Sequence, residues 1–584
     1  MSQAEAVTPK LRDTLNPPPN HPPDSSHWYS PETGIYSSTH PTIPLPPDPF
    51  LDTVSFIFSQ THHNHNGHST ALLDSSSALS ISYPALFSLV KSMASGLHHR
   101  MGIRQGDVVL LLLPNSIHFP VVFLGALYLG AVVSPLNPLS SEPEIAKLVR
   151  QTNPRLAFTT PENAPKFQSS SKNNNNSNSK ANIPLVCVPE HANLDETSPK
   201  FEAFLKLVHS NADLAPRPVI RQQDTAAILC SSGTTGASKC VVLTHANLIS
   251  TIELFAKFEA SQYEYPSSKN VYLAALPMFH IYGLSLFVTG LLSLGSAVVV
   301  MKRFDANEVG KAIQKYGVTH FPVAPPMLMA LTQLARRLPA PQDTFKSLKQ
   351  VSCGAAPLSD NAIQEFVQAL PHVDFIQGYG LTESAAVGTR GFNTKSCRKY
   401  SSIGLLAPNT QAKVVDWITG SSKPPGGIGE LWMRCPGVMK GYLDNKEATE
   451  LTVDKDGWLH TGDIVRIDHD GYLYVFDRLK EMIKYKGFQI APADLEAILI
   501  SHPEIVDAAV TGAPDKECGE IPVAFVVKKH ESMLTQAAVY DFVAKQVAPY
   551  KKVRKVVFTQ SIPKSPAGKI LRRELRQSLM SSRL

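Results

Sequence analysis

The tract Ser231-Ser232-Gly233-Thr234-Thr235-Gly236-Ala237-Ser238-Lys239 follows directly on an apolar run over residues 226–230. Small residues leave backbone N–H groups open to phosphate oxygens, the hydroxyls add donors, and the lysine adds a cation. These are the residue types of a phosphate-binding loop, although such a tract can also be an ordinary turn. The spacing is not G-x-x-x-x-G-K-[ST], which disfavours a Walker-type nucleotidase. A second tract, Gln377-Gly378-Tyr379-Gly380-Leu381-Thr382-Glu383, gathers an aromatic face, a hydroxyl and a carboxylate. Tyr379 can stack on a purine, Thr382 can bond a phosphate, and Glu383 can hold a hard cation such as Mg2+ through oxygen. A third, Gly457-Trp458-Leu459-His460-Thr461-Gly462-Asp463, ends in an acid suited to accept ribose hydroxyl protons. The fourth runs Asp477-Arg478-Leu479-Lys480-Glu481-Met482-Ile483-Lys484-Tyr485-Lys486-Gly487, and the fifth, Pro563-Lys564-Ser565-Pro566-Ala567-Gly568-Lys569, sets a lysine on a rigid turn before a helical tail. Each later tract by itself reads equally as a solvated turn; the five in this order do not.

Placing such loops requires buried strands between helices. Short apolar, β-branched runs at 108–113, 156–159, 226–230, 271–275 and 297–301 alternate with helical patterns, the α/β signature of parallel strands. Beyond Asp463 the elements shorten and then alternate helix with strand. The expected fold is therefore α/β: a large N-terminal unit of sheets layered by helices, with a small α+β C-terminal domain. Expected boundaries are a mobile proline-rich leader at 1–45, the large unit at 46–477, a low-complexity loop insertion at 168–181, and a junction at 478–480 to a small C-terminal domain at 481–584.

Composition narrows the class. At 584 residues the chain exceeds one ordinary core, so a large unit plus a smaller one is expected. With 43% hydrophobic and 18% charged residues it is neither disordered nor fibrous. The net charge of +6 is spread over 55 basic and 49 acidic residues; no nucleic-acid partner is expected from it. Seven cysteines lack a C-x-x-C pair, which predicts reduced thiols and no zinc site. The cluster His62, His63 and His65 has no ligand-spaced partner and reads as a polar loop. The N-terminus lacks the apolar core of a secretory signal. Apolar stretches at 121–136 and 283–301 are interrupted by glycine and serine, so each reads as a buried helix running into a buried strand, with no transmembrane segment.

The five tracts in this order resemble the adenylate-forming superfamily of acyl-CoA synthetases, luciferases and adenylation domains, over residues 50–575. Within it the sequence looks most like the plant 4-coumarate–CoA ligase and ligase-like group, as LPMFHIYG at 276–283, VAPPM at 323–327, GAAPL at 354–358 and ELWMRCPGVMKGY at 430–442 show. The resemblance implies an AMP-forming acid–thiol ligase using ATP, Mg2+ and coenzyme A. It places the triphosphate on Ser231, Ser232, Gly233, Thr234, Thr235 and Lys239, the metal near Thr235 and Glu383, and the adenine against Tyr379 beside Gln377 and Gly378, with Thr382 at phosphate. It assigns Asp463 and Arg478 to the ribose. Lys569 is to act on the carboxylate and α-phosphate in the first half-reaction. It also implies that the small domain at 481–584 is a mobile lid that turns about a hinge at 478–480, near Lys480, bringing Lys484 as a catalytic residue, with Lys486, Gly487 and Gln489, to the site for the second. Arg303 stands where the family contacts coenzyme A. The expected acid pocket comprises His280, Tyr282, Ala355, Val387, Gly388 and Arg390.

Departures bear on the acid. Cys240 follows Lys239 where glycine is usual, and Ser384-Ala385-Ala386-Val387-Gly388-Thr389-Arg390 replaces the A-G-P-V-L-A-M of hydroxycinnamate ligases. Gly388 is read as removing apolar bulk, Arg390 as adding polarity, and Leu286 stands where a small polar residue is common. The expected acid is 4-coumarate or a related phenylpropanoid, with a fatty acid or a jasmonate-precursor oxylipin as the alternative. A luciferase-like, adenylate-oxidising monooxygenase is the rival outside the class, and a non-catalytic adenylate binder is disfavoured by Lys569 and Glu383. The terminal Ser582-Arg583-Leu584 resembles a peroxisomal address; peroxisomal localisation, through an import receptor, is expected, with the cytoplasm as the alternative.

Overall fold

The computed structural model describes residues 28–62, 69–168, 183–189, 198–231, 239–257, 269–393, 397–485, 488–515, 518–547, 549–565 and 568–581. Two β-branched-rich sheets carry the large unit. One has seven strands, in order Leu185–Cys187, Leu156–Thr159, Val108–Leu112, Val132–Pro135, Thr225–Ser231, Lys239–Thr244 and Gly441–Tyr442. Its first five strands run parallel and the last two are added antiparallel. The other has nine strands, with a parallel centre from Asp374–Tyr379 through Gln350–Cys353, His320–Val323, Val271–Ala274 and Ala297–Val300 to Thr70–Asp74. The helix His118–Tyr128 is buried at every position, as an element apolar all round must be. It runs on into the buried strand Val132–Pro135, and residues 281–293 likewise lead as helix into Ala297–Val300. Among the described residues no helix is long and apolar enough to cross a membrane.

A six-stranded antiparallel sheet follows, ending in Leu459–Ile467 and Leu473–Arg478. A separate five-stranded sheet begins at Ile483–Tyr485 and is covered by the helices Pro492–Ile500, Gln536–Ala544 and Arg572–Ser581. It has its own apolar core around Ile483, Leu495, Val510 and Val526. The change of sheet thus falls between Arg478 and Ile483.

Two expectations are corrected. Residues 28–45 are not a mobile leader: Tyr29–Ser30 and Ile35–Ser37 form a hairpin that pairs with Gln411–Val415. The hairpin is held because Trp28 and Tyr36 are buried and their rings pack 5.8 Å apart, an apolar anchor that the surrounding prolines obscure in sequence. The thiols are not all reduced either: Cys230 and Cys240 are joined. They stand directly opposite each other on adjacent antiparallel strands, where facing Cβ atoms come close enough to bridge.

Two helical segments of the large unit are π-wound, Ile252–Ala256 and Leu284–Gly290. They cross where Gly290 has no side chain: a Cβ there would lie 2.4 Å from the Ala256 Cβ and 2.7 Å from the Ser285 carbonyl oxygen. Overpacking of this kind costs about 1–3 kcal/mol. We expect Gly290→Ala to lower the urea midpoint, and Ala256→Gly to restore part of the loss in the double variant; equal midpoints for Gly290→Ala and the parent would show that the crossing tolerates the methyl.

Candidate active site

The strands Thr225–Ser231 and Lys239–Thr244 pair antiparallel with Ser231 opposite Lys239 and Cys230 opposite Cys240. They bring the two ends of the serine–threonine tract together. Residues 232–238, including Ser232, Gly233, Thr234 and Thr235, and the Ser231 side chain lie outside the described residues. Lys239 lays its ammonium 4.7 Å from the centre of the Tyr442 ring. The Tyr442 hydroxyl donates to Glu383 Oε1 at 2.9 Å. Glu383 sits in the short 3-10 turn Thr382–Ser384 that ends the second tract, and its carbonyl accepts the Met439 N–H at 2.8 Å. The first two tracts therefore meet at Tyr442, which the sequence reading quoted only inside a longer segment.

The second, third and fourth tracts meet at Asp463. The strands Leu459–Ile467 and Leu473–Arg478 set Asp463 directly opposite Arg478. Arg478 Nε reaches Asp463 Oδ1 at 2.9 Å, and the Tyr379 hydroxyl donates to Oδ2 at 2.6 Å. Asp463 is buried, and burial together with its charge raises the Tyr379 phenol far above its ordinary range, so Tyr379 remains a proton donor with its ring fixed. The turn carrying Asp463 is itself held: Gly462 N–H donates to Glu430 Oε1 at 3.0 Å, and Trp432 stacks on His460 with centroids 3.8 Å apart. Gln377 is buried and donates to the Tyr400 carbonyl at 2.8 Å, which fixes the floor beside Gly378.

The fifth tract docks against the large unit. Gly568 has φ +78, and a Cβ on it would come within 2.7 Å of Pro326 Cδ, so only glycine lets the turn sit on the VAPPM segment. Lys569 follows. Burial first, and then the positive charge of Arg478, lowers its pKa to about 8, against the attraction of Glu481 and Asp463. Burial and Arg478 lower Lys480 as well. Three residues beyond Lys569, Arg572 forms a buried network: its guanidinium grips both oxygens of Glu496 at 2.7 Å and also pairs with Glu481. A buried ion pair of this geometry fixes position more reliably than it adds stability. It ties the lysine turn to the residue following Lys480.

The acid side is assembled only in part. His280 caps the turn Ile281–Gly283, its Nδ1 accepting from Tyr282 N–H at 3.4 Å, and burial lowers its pKa to about 4, so the ring is neutral. Asn115, which sequence reasoning missed, staples this segment by donating to the Leu276 carbonyl at 2.9 Å and accepting from Met278 N–H at 2.8 Å. Tyr282 packs edge-on against Phe255 at 6.5 Å, and the Arg390 guanidinium lies 5.4 Å from the same Phe255 ring. Arg390 is 1% exposed. Gly388 does not widen a pocket: a Cβ there would strike the Tyr379 carbonyl oxygen at 2.3 Å. The expectation is corrected to one of close backbone approach, which adjacent strand ends at 378–380 and 388–390 impose. Val387 and Leu286 are fully buried, Val387 packing with Leu254 and Ala407. Ala355 is exposed, with φ 73, just past the strand Gln350–Cys353.

Of the residues expected at coenzyme A, Arg303 is exposed on the loop before the helix Ala306–Tyr316. Lys484 is solvent-exposed on the small sheet, its N–H donating to Glu520 Oε2, and is not brought to the Asp463 cluster. Lys486, Gly487 and the Gln489 side chain lie outside the described residues.

The Lys569 environment has a measurable consequence. Below about 8 the amine carries its proton; as pH rises through that value the neutral form takes over. Competitive labelling of neutral amines, read by mass spectrometry, should give Lys569 a midpoint near 8, and a midpoint at the ordinary lysine value would contradict the burial described.

Residues 59–443 match the AMP-binding enzyme family and residues 494–569 its C-terminal domain. The chain is 57% identical over 573 residues to 4-coumarate–CoA ligase-like 6 of Arabidopsis thaliana, covering 97% of this chain and 98% of that protein. It is 44% identical over 543 residues to peroxisomal OPC-8:0-CoA ligase 1 of the same plant, covering 93% and 95%. The fold of ATP-bound MatB from Rhodopseudomonas palustris superposes with a TM-score of 0.80 at 24% identity, over 90% of this chain and 99% of that one. With the second, third and fourth tracts meeting at Asp463 and both family models matched along its length, the chain belongs to the AMP-binding enzyme family, in the plant 4-coumarate–CoA ligase-like group of adenylate-forming enzymes.

Proposed function

We propose that this enzyme is an ATP- and Mg2+-dependent carboxylic acid–CoA ligase that works through an acyl-adenylate, with 4-coumarate or a related phenylpropanoid acid as its acid. The observation that carries the reading is the convergence of Tyr379, Arg478 and Lys569, from three separate tracts, around the buried Asp463 of a fourth. Tyr379 offers its ring to the adenine, and Asp463 accepts from the ribose hydroxyls while Arg478 holds it in place. The acid's carboxylate oxygen attacks the α-phosphorus and diphosphate leaves. Lys569, cationic below about pH 8, offsets the charge that develops on the α-phosphate oxygens. Glu383 suits Mg2+, which takes one or two carboxylates along with phosphate oxygens; bound there, the ion would neutralise charge on the leaving diphosphate. In the second half-reaction the thiol of coenzyme A attacks the acyl carbon and AMP leaves. The exposed position of Lys484 suits a small domain that turns about Lys480 between the steps.

A second reading of the acid, an oxylipin precursor or fatty acid, is favoured by the peroxisomal OPC-8:0-CoA ligase relative. The same relative supports a peroxisomal location through Ser582-Arg583-Leu584, which lies outside the described residues. CoA-dependent AMP release across a panel of hydroxycinnamic, fatty and cyclopentanone-bearing acids decides between the two: the highest kcat/KM on a cinnamate supports the first reading, on an oxylipin or fatty acid the second.

The division of labour predicts that Lys569→Ala slows adenylate formation by about 10²–10³, while a presynthesised acyl-adenylate still yields thioester; equal losses in both half-reactions would end that assignment. A reporter carrying the intact terminal tripeptide should give punctate peroxisomal import, and one lacking the last three residues should stay in the cytosol. Import that survives the deletion would remove the address.

A further inference from the structure

Tyr442 touches both charged groups of the phosphate side, and nothing in the adenylation chemistry itself requires a phenol there. It lies in the short strand Gly441–Tyr442, antiparallel to Lys239–Thr244, with Val241 as its direct partner. Lys239 is two residues from Val241 and so projects on the same strand face, diagonal to Tyr442, where a long side chain reaches across. The ammonium accordingly stands 4.7 Å from the ring centre. On the other side the hydroxyl donates to Glu383 Oε1 at 2.9 Å. The strand that carries the ring is strapped at several points. Met439 N–H bonds the Glu383 carbonyl, Lys440 N–H the Val242 carbonyl, and Leu443 N–H the Cys240 carbonyl. Tyr442 N–H donates to Thr449 Oγ1 at 2.9 Å. The ring therefore cannot shift without moving both neighbours.

We propose that Tyr442 is a positioning residue that couples the phosphate-binding cation to the metal-binding carboxylate. Its hydroxyl fixes one oxygen of Glu383, leaving the carboxylate oriented to bind Mg2+ through the other, and its ring face keeps Lys239 aimed at the triphosphate. The proposal rests on the reading of Lys239 and Glu383 given above. It separates the two functions of one side chain, because the hydroxyl serves the metal and the ring serves the lysine.

Calorimetric titration of the full-length protein with ATP, once in Mg2+ and once in EDTA, tests it without turnover. Tyr442→Phe keeps the ring and removes the hydroxyl, so its affinity in EDTA should match the parent while the gain conferred by Mg2+ falls about tenfold, the scale of one hydrogen bond to a charged group. Tyr442→Leu removes the ring as well and should also weaken ATP binding in EDTA, by about two- to fivefold, the scale of a cation–π contact. Glu383→Gln is the control for the underlying reading. If it loses the Mg2+ gain and Tyr442→Phe retains it, the proposal alone is overturned; if Glu383→Gln also retains the gain, the metal assignment is wrong and the proposal falls with it. A Tyr442→Phe variant weakened equally in Mg2+ and EDTA would likewise overturn it, since a general packing defect has no reason to distinguish the two conditions.

Discussion

The ion pair between buried Asp463 and half-buried Arg478 is the constraint around which the cluster of Tyr379, Asp463 and Lys569 is organised. A carboxylate taken from water is tolerable only when its charge is paired and its remaining hydrogen-bonding capacity is satisfied. Here one Asp463 oxygen takes Arg478 and the other takes the Tyr379 hydroxyl. That requirement locks three tracts together. Strand pairing sets the Asp463–Arg478 register, Glu430 and Trp432 hold the turn leading into it, and Tyr379 closes it from the end of a parallel strand in another sheet. Any movement of Tyr379 would leave the buried Asp463 charge under-solvated, so the ring is held by electrostatics and not by packing alone.

The same buried charge reaches the small domain. Arg478 is one of the groups that depress Lys569, and Asp463 is one of those that oppose it. The lysine arrives there because Gly568 lets its turn press on Pro326, and because Arg572 anchors the chain beyond it to Glu481 and Glu496. Asp477, on the last strand before the change of sheet, accepts the Ala493 N–H at 2.9 Å near the start of the helix Pro492–Ile500. The junction around Lys480 is thus bracketed by buried carboxylates, Asp477 before it and Glu481 after it.

The phosphate side is built differently. Backbone pairing of Lys239–Thr244 with both Thr225–Ser231 and Gly441–Tyr442 brings the loop ends, the lysine and Tyr442 together. The Cys230–Cys240 link lies one residue outside the loop on each strand. Cys240 alone looked like a minor departure from glycine; its partner ten residues earlier became visible only when the two strands were paired. The acid side shows the converse. Gly388, which suggested added room, in fact permits two backbones to touch, and Arg390 is enclosed beside Phe255.

What the sequence determined by itself was the chemistry and the order of the elements. Residue types in the first three tracts suggested phosphate, cation, purine and ribose roles because such roles depend on local donors, acceptors and charges, the order of all five carried the family resemblance, and the runs at 108–113 and 156–159 were legible as strands because burial on both faces leaves an apolar, β-branched imprint. Tertiary structure alone decided which of those groups meet. Asp463 opposite Arg478, Tyr442 between Lys239 and Glu383, Gly568 on Pro326, and the hairpin of Trp28 and Tyr36 on Gln411–Val415 all join residues distant along the chain. Strand register and domain docking are set by the packing of the whole chain, and no local window of sequence contains the partner against which a side chain will be buried.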